Sequence, residues 1–279
     1  MIRLPLISAI GLLCVLGLVG GAAGKRGAAA RPYFVGDFDT CDFSQWQDMQ
    51  GPGESFKVIR RPRTEGRCAA SLTIGPWAAG GLGSLAADGA ALRLKAAPYG
   101  EPGSTVWQHF SVQFAPRFQA VPGNWNLFIE WHNDPGWKKF PPPYLEYANL
   151  CFAVRNIYGV NRIGMRIMGG QSTAPSTIWI NGPRLEERHW YDFLIRTHWS
   201  PDPKSGMVQW WLDHKLLYSS HVPTLYARSD RSVSSVYFVA DHYRRHASST
   251  TTIRFDGFRL GPTRSSVQYP SRSRSRKGK

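Results

Sequence analysis

Asn126-Leu127-Phe128-Ile129-Glu130-Trp131-His132 is the stretch on which the fold turns. Read with a period of two, it puts Leu127, Ile129 and Trp131 on one face and Asn126, Phe128, Glu130 and His132 on the other. That period predicts a strand with one side in a core. The same period returns in Phe110-Ser111-Val112-Gln113-Phe114 and in Ile163, Met165 and Ile167, which alternate with Arg162, Gly164 and Arg166. It returns again in Val208, Trp210 and Leu212, and in a last strand from Ile253 to Leu260. Asp213-His214 ahead of Lys215-Leu216-Leu217-Tyr218 predicts a hairpin. Gly51-Pro52-Gly53, Pro141-Pro142-Pro143 and Pro201-Asp202-Pro203 place turns between strands. No helical period with start and stop signals stands out, and there is no internal repeat. The expectation is an all-β chain: a β-sandwich of jelly-roll type, two antiparallel sheets in one domain over 31–263.

Composition agrees. The 279 residues are 42% hydrophobic and 19% charged, enough to bury a core. With 11 Trp, 28 Gly and 20 Pro, the mix suits short strands and turns and argues against a helical bundle, a coiled coil or a multi-pass membrane protein. Lys and Arg number 34 against 19 Asp and Glu, a formal charge of +15 that asks for an anionic partner.

The two ends read as separate segments. In 1–30, Arg3 precedes an apolar run from Leu4 to Val19 and the small residues Gly20 to Gly24, the layout of a secretory signal peptide. The alternative is an N-terminal membrane anchor. Residues 264–279 read as a basic Ser/Arg-rich disordered tail, a composition with nothing to bury. Export leaves Cys41, Cys68 and Cys151. Cys41 and Cys68 are candidates for a disulfide in an oxidising compartment, three separate thiols being the alternative. Cys151, inside Leu150-Cys151-Phe152-Ala153-Val154, reads as a small core hydrophobe.

Several motifs resemble one family in order. Gly36-Asp37-Phe38-Asp39 with Phe43-Ser44-Gln45-Trp46 is similar to the opening of secreted polysaccharide lyases. Trp125 to His132, Trp190-Tyr191-Asp192-Phe193, His198-Trp199-Ser200-Pro201-Asp202 with Gly206, Trp211-Leu212-Asp213, Tyr243-Arg244 and Asp256 to Gly261 continue the series. The resemblance is to the heparin-lyase-like and glucuronan-lyase-like group and runs from Gly36 to Gly261. It implies a concanavalin-like jelly roll with substrate along a concave sheet, and β-elimination on a uronic-acid polysaccharide.

That reaction removes the proton at C5 of a uronide and expels the oxygen at C4. It needs a neutralised carboxylate, a base and an acid. The resemblance assigns proton transfer to His132 and Tyr243, with Arg244 as the planar cation that meets the substrate carboxylate. His242 is an alternative partner for the sugar. Asn126 and Glu130 share the His132 face. Lys138, Lys139, Arg155 and Arg166 offer cations for a polyuronide, and Trp137 offers a loop indole for stacking. Two departures stand out: Val239 occupies the place of a lysine four residues before the tyrosine, and Glu130 the place of a glutamine. A carboxylate there repels an anionic substrate unless it is paired or protonated.

No cofactor is required. Asp256 and Asp39 are candidates for a structural calcium. The expected partner is an anionic polysaccharide, with no nucleic acid, no membrane contact beyond export, and a monomeric secreted protein. The competing readings are a lectin-like carbohydrate-binding protein on the same fold and a glycoside hydrolase, which needs two flanking carboxylates.

Overall fold

The computed structural model describes residues 30–76, 87–94, 100–124, 126–133 and 148–268. Strands follow one another almost without helix. The first six are β1 (Phe34–Gly36), β2 (Asp48–Gln50), β3 (Phe56–Ile59), β4 (Ala69–Ile74), β5 (Ala87–Leu94) and β6 (Thr105–Phe114). Next come β7 (Asn126–Asn133), β8 (Leu150–Ile157), β9 (Val160–Gln171), β10 (Ser176–Arg184) and β11 (Trp190–His198). The last are β12 (Met207–Leu212), β13 (Lys215–His221), β14 (Tyr226–Ala227), β15 (Val236–Arg245), β16 (Thr251–Gly261) and the short helix α1 (Arg264–Val267).

They form two sheets. The first runs β13-β12-β11-β6-β16-β4-β3, with β1 on β16; the second runs β10-β9-β8-β7-β15-β5-β2, with β14 on β9. Every pair is antiparallel except β14 with β9. Strand neighbours in space are distant in sequence, as in a jelly roll. Period-two alternation sends one face of each strand inward. Phe110 and Phe193 of the first sheet stack at 5.0 Å between ring centres, and Phe152 of the second meets Phe193 at 5.2 Å. Each such fully buried ring contributes about 2–3 kcal/mol of apolar burial.

The hairpin expected at Asp213-His214 joins β12 to β13. Both residues have positive φ, 48° and 65°, the backbone a tight two-residue turn demands. Cys41 and Cys68 are joined in a disulfide, tying the segment after β1 to the start of β4. Cys151 is a buried free thiol. Among the described residues no helix is long and apolar enough to cross a membrane.

Candidate active site on the outer face of the second sheet

β15 carries a dense polar run, Asp241-His242-Tyr243-Arg244-Arg245, and the strand divides it between two faces. His242 and Arg244 turn into the sandwich. The His242 ring lies 5.9 Å from that of Phe118, and its nitrogens meet Leu72 O at 3.3 Å and Thr251 Oγ1 at 3.0 Å. Burial, then the nearby Arg244 charge, pushes its pKa down to about 3, so the imidazole is neutral at any working pH. Arg244 is 0% exposed. It pairs with Asp88 at 3.5 Å and donates to Thr251 Oγ1 at 2.8 Å and to the Ser249 carbonyl. Neither reaches a polymer on the outer face. The expectation that Arg244 meets the substrate carboxylate, and that His242 contacts sugar, is therefore corrected: adjacent strand residues point to opposite sides.

Tyr243 takes the outer face, half-buried against Leu127, Cys151 and Ala153. Leu127 is there because β7 carries a bulge. Pairing slips between Leu127 and Ile129 against β8, and between Ala240 and Tyr243 against β15. One inserted residue turns Phe128 into the core beside Ile129 and moves Leu127 outward. Asn126 goes inward with it. Its Oδ1 accepts from Val121 N at 3.0 Å and its Nδ2 donates to Val154 O at 3.3 Å, so this buried amide fixes the strand end and is not a sugar contact. Beyond the bulge the alternation holds, and Glu130 and His132 face outward with Tyr243.

The register lines these side chains up. Trp179, Arg166, Cys151, Glu130, Val239, Arg93 and Asp48 are successive pairing partners from β10 to β2. At about 4.8 Å per strand this row runs roughly 29 Å straight across the sheet. Cations stand toward both ends. The Arg155 and Arg166 guanidiniums lie 4.4 and 5.5 Å from the Trp179 ring centre, and that of Arg93 lies 4.6 Å from Tyr237's. The neighbouring row is Asn181, Gly164, Ala153, Leu127, Tyr243 and Gly89. Gly89 on one side of Tyr243 leaves that side open, while Leu127 and Ala153 support its ring on the other.

Asp241 faces outward between these rows. It is 1% exposed and hydrogen-bonds Glu130. Burial first, then the Glu130 charge and their shared bond, hold its carboxyl well above the ordinary range, so it keeps its proton. Asp241 therefore adds no charge of its own beside Glu130, which eases the difficulty posed by Glu130. His132 lies on the far side of the pair. Its ring stacks on Tyr237 at 5.6 Å, and its Nδ1 is 3.2 Å from the Asn133 carbonyl. From Leu127, across from Tyr243, to His132 is on the order of 15 Å along the strand. The carboxyl pair lies between the two candidate proton carriers.

Sequence reading gives no role to Asp241, Arg93 or Trp179. Alternation counted outward from Tyr243 would place Asp241; the other two need the register. Trp137, Lys138 and Lys139 lie outside the described residues. Asp256 and Asp39 do not fit calcium. Asp256 accepts from Thr64 N (2.7 Å), Glu65 N (3.1 Å) and Gly257 N (2.8 Å), and Asp39 accepts from Arg67 N. Backbone amides take both oxygens of Asp256 and Oδ1 of Asp39, where a cation would have to bind. Among the described residues no cluster of three or more His, Cys, Asp or Glu is placed to hold a metal.

A family model described as polysaccharide lyase matches residues 38–259. The fold is similar to that of an endo-β-1,4-glucuronan lyase from the fungus Trichoderma reesei, with a TM-score of 0.67 at 14% identity over 85% of this chain and 98% of that one. An alginate lyase bound to an alginate trisaccharide superposes with a TM-score of 0.57 at 10% identity, over 85% and 100% of the two chains. The catalytic domain of a glycoside hydrolase from Coprinopsis cinerea reaches 0.51 at 12% identity over 86% and 98%, so the fold alone does not choose the chemistry. No curated protein matches the sequence.

Proposed function

Since the chain belongs to the polysaccharide lyase family and is an enzyme acting on polysaccharide, we propose that it cleaves a uronic-acid polymer by β-elimination on the outer face of the second sheet. The observation that carries this reading is the row from Trp179 to Arg93, with cations toward its ends, Glu130 at its centre, and Asp241 and then Tyr243 beside it along β15. A polymer laid along it crosses the strands. Arg155 and Arg166 hold uronates on one side, and Arg93 holds them on the other. A uronate ring over the carboxyl pair has the phenol of Tyr243 on one side and the imidazole of His132 on the other.

The roles follow from charge. The proton that Asp241 holds toward Glu130 spares the site a second charge beneath the substrate carboxylate, which the arginine held in the core does not reach. His132 takes the C5 proton, and Tyr243 gives one to the leaving O4. The sugar is left with a double bond between C4 and C5, and no water is consumed. The polymer is the expected partner of a monomer, with no nucleic acid. The Cys41–Cys68 disulfide and the signal-like residues 1–30 support action outside the cell.

The test is ultraviolet absorbance of the unsaturated uronide during incubation with glucuronan, alginate, heparin, hyaluronan and pectate. Absorbance that rises with one polymer and falls at least a hundredfold in Tyr243→Phe and His132→Ala supports the reading. A flat trace on every polymer, with retardation in a gel containing one of them, would make this a binding protein.

A further inference from the structure

The outer face of the first sheet is built unlike an ordinary solvated face. Alternation places Trp107 and His109 of β6, Trp190 and Asp192 of β11, and Trp211 of β12 on it, while Phe110, Phe193 and Trp210 go inward. The Trp107 and Trp211 indoles stack at 5.6 Å, with the Arg264 guanidinium 5.5 Å from the Trp211 ring centre and that of Arg196 5.6 Å from Trp107's. Over this face the segment 61–66 and helix α1 enclose a groove of about 1330 Å³, lined among others by Arg61, Arg63, Arg264, Trp190, Trp211 and His214.

Its walls are fixed. Asp256 grips the segment through Thr64 N, Thr64 Oγ1 and Glu65 N. On the floor, His109 Nε2 meets Asp192 at 2.7 Å, and its Nδ1 lies 3.2 Å from the Gly257 carbonyl. Gly257 holds φ +66° at the bulge of β16 that turns this carbonyl. Arginine outnumbers acid in the groove's lining: Arg61, Arg63 and Arg264 stand along the rim against Asp192, which hydrogen-bonds His109, and Glu65, which pairs with Arg259. Arg61 is exposed and makes no side-chain hydrogen bond or ion pair with the described residues. Flat indoles beside guanidiniums, in a preformed groove, suit sugar rings bearing carboxylates.

We propose that this groove is a second, non-catalytic binding site for a segment of acidic polysaccharide. It lies on the opposite face of the sandwich from Tyr243. The choice of ligand rests on the reading of the substrate given above; the groove's charge and aromatic lining do not. Sheets pack about 10 Å apart, so the two sites sit back to back, and one short oligomer cannot fill both. A long polymer, or two chains, can. The site then acts by avidity: it holds polymer near the enzyme without touching the reacting sugar.

The experiment counts equivalents of hexasaccharide bound at equilibrium by the Tyr243→Phe protein, which does not consume the ligand. Glucuronan and alginate hexasaccharides are titrated separately. Two equivalents are expected, falling to one in Arg61→Ala/Arg264→Ala and to one in Arg155→Ala/Arg166→Ala. In the otherwise wild-type enzyme, Arg61→Ala/Arg264→Ala leaves kcat/KM on the hexasaccharide unchanged and raises KM for the long polymer about tenfold. One equivalent, lost only in Arg155→Ala/Arg166→Ala, would overturn the second site and leave the catalytic reading standing. One equivalent, lost only in Arg61→Ala/Arg264→Ala, would keep this site and sink the catalytic placement. Binding of an RNA oligomer at this rim with no uronate bound, or no binding at all, would overturn the inference.

Discussion

Asp241 is the residue whose chemistry is most exposed to test. It stays protonated because it is buried beside Glu130, so its folded pKa lies above its unfolded one. As pH rises past the usual carboxylate value, the unfolded chain loses this proton while the folded one keeps it. Folding stability from this group is thus present at acid pH and lost as pH rises toward the raised value. Asp241→Asn removes that loss and keeps a donor for Glu130. Thermal denaturation should show a Tm gain of about 2–6 °C at pH 8 and little at pH 4. Activity of the wild type should fall on the alkaline side as the second carboxylate charges and repels substrate, and in Asp241→Asn that limb should move to higher pH. An unmoved limb would remove the pair from the mechanism. Cys151, beneath this pair with its thiol pushed up to about 12 by burial, should resist alkylation in the folded protein.

At the scale of elements, β15 separates chemistry from support. Arg244 and Asp88 form an ion pair with no exposure on either side chain. Arg244→Ala breaks the buried pair, leaving Asp88 only His246 and the Ala247 amide, and should cost about 3 kcal/mol by denaturant melts, whereas Tyr243→Phe should leave the midpoint within about 0.5 kcal/mol. If Arg244→Ala instead folds normally and loses only substrate affinity, the inward assignment is wrong. The sequence pattern foretold the strands themselves, because a half-buried strand must alternate. It foretold Glu130 and His132 on one face of a strand. It did not foretell the bulge at Phe128, since one inserted residue changes which side chains face outward without changing any of them. Assigning both Tyr243 and Arg244 to the sugar failed for a reason visible in the residues: adjacent residues of a strand point to opposite sides.

The whole molecule is one sandwich with two different outer faces and a covalent tie at one end. The Cys41–Cys68 bridge closes a loop of 27 residues, and its loss should cost about 3–4 kcal/mol by loop-closure entropy. Cys41→Ser/Cys68→Ser should therefore melt well below the wild type in non-reducing buffer, and reductant should lower the wild type to match it. Jelly-roll pairing between strands far apart in sequence could be expected only as a class. The order of strands, and hence the row from Trp179 to Arg93, depends on contacts that no local pattern records. The central claim is elimination at the Tyr243 face, and the most direct measurement is product analysis by mass spectrometry after cleavage of a uronate polymer in heavy-oxygen water. Elimination predicts oligomers with an unsaturated end, no oxygen taken from the solvent, and no such product from Tyr243→Phe. Saturated products carrying solvent oxygen, or unsaturated products undiminished in Tyr243→Phe, would contradict it.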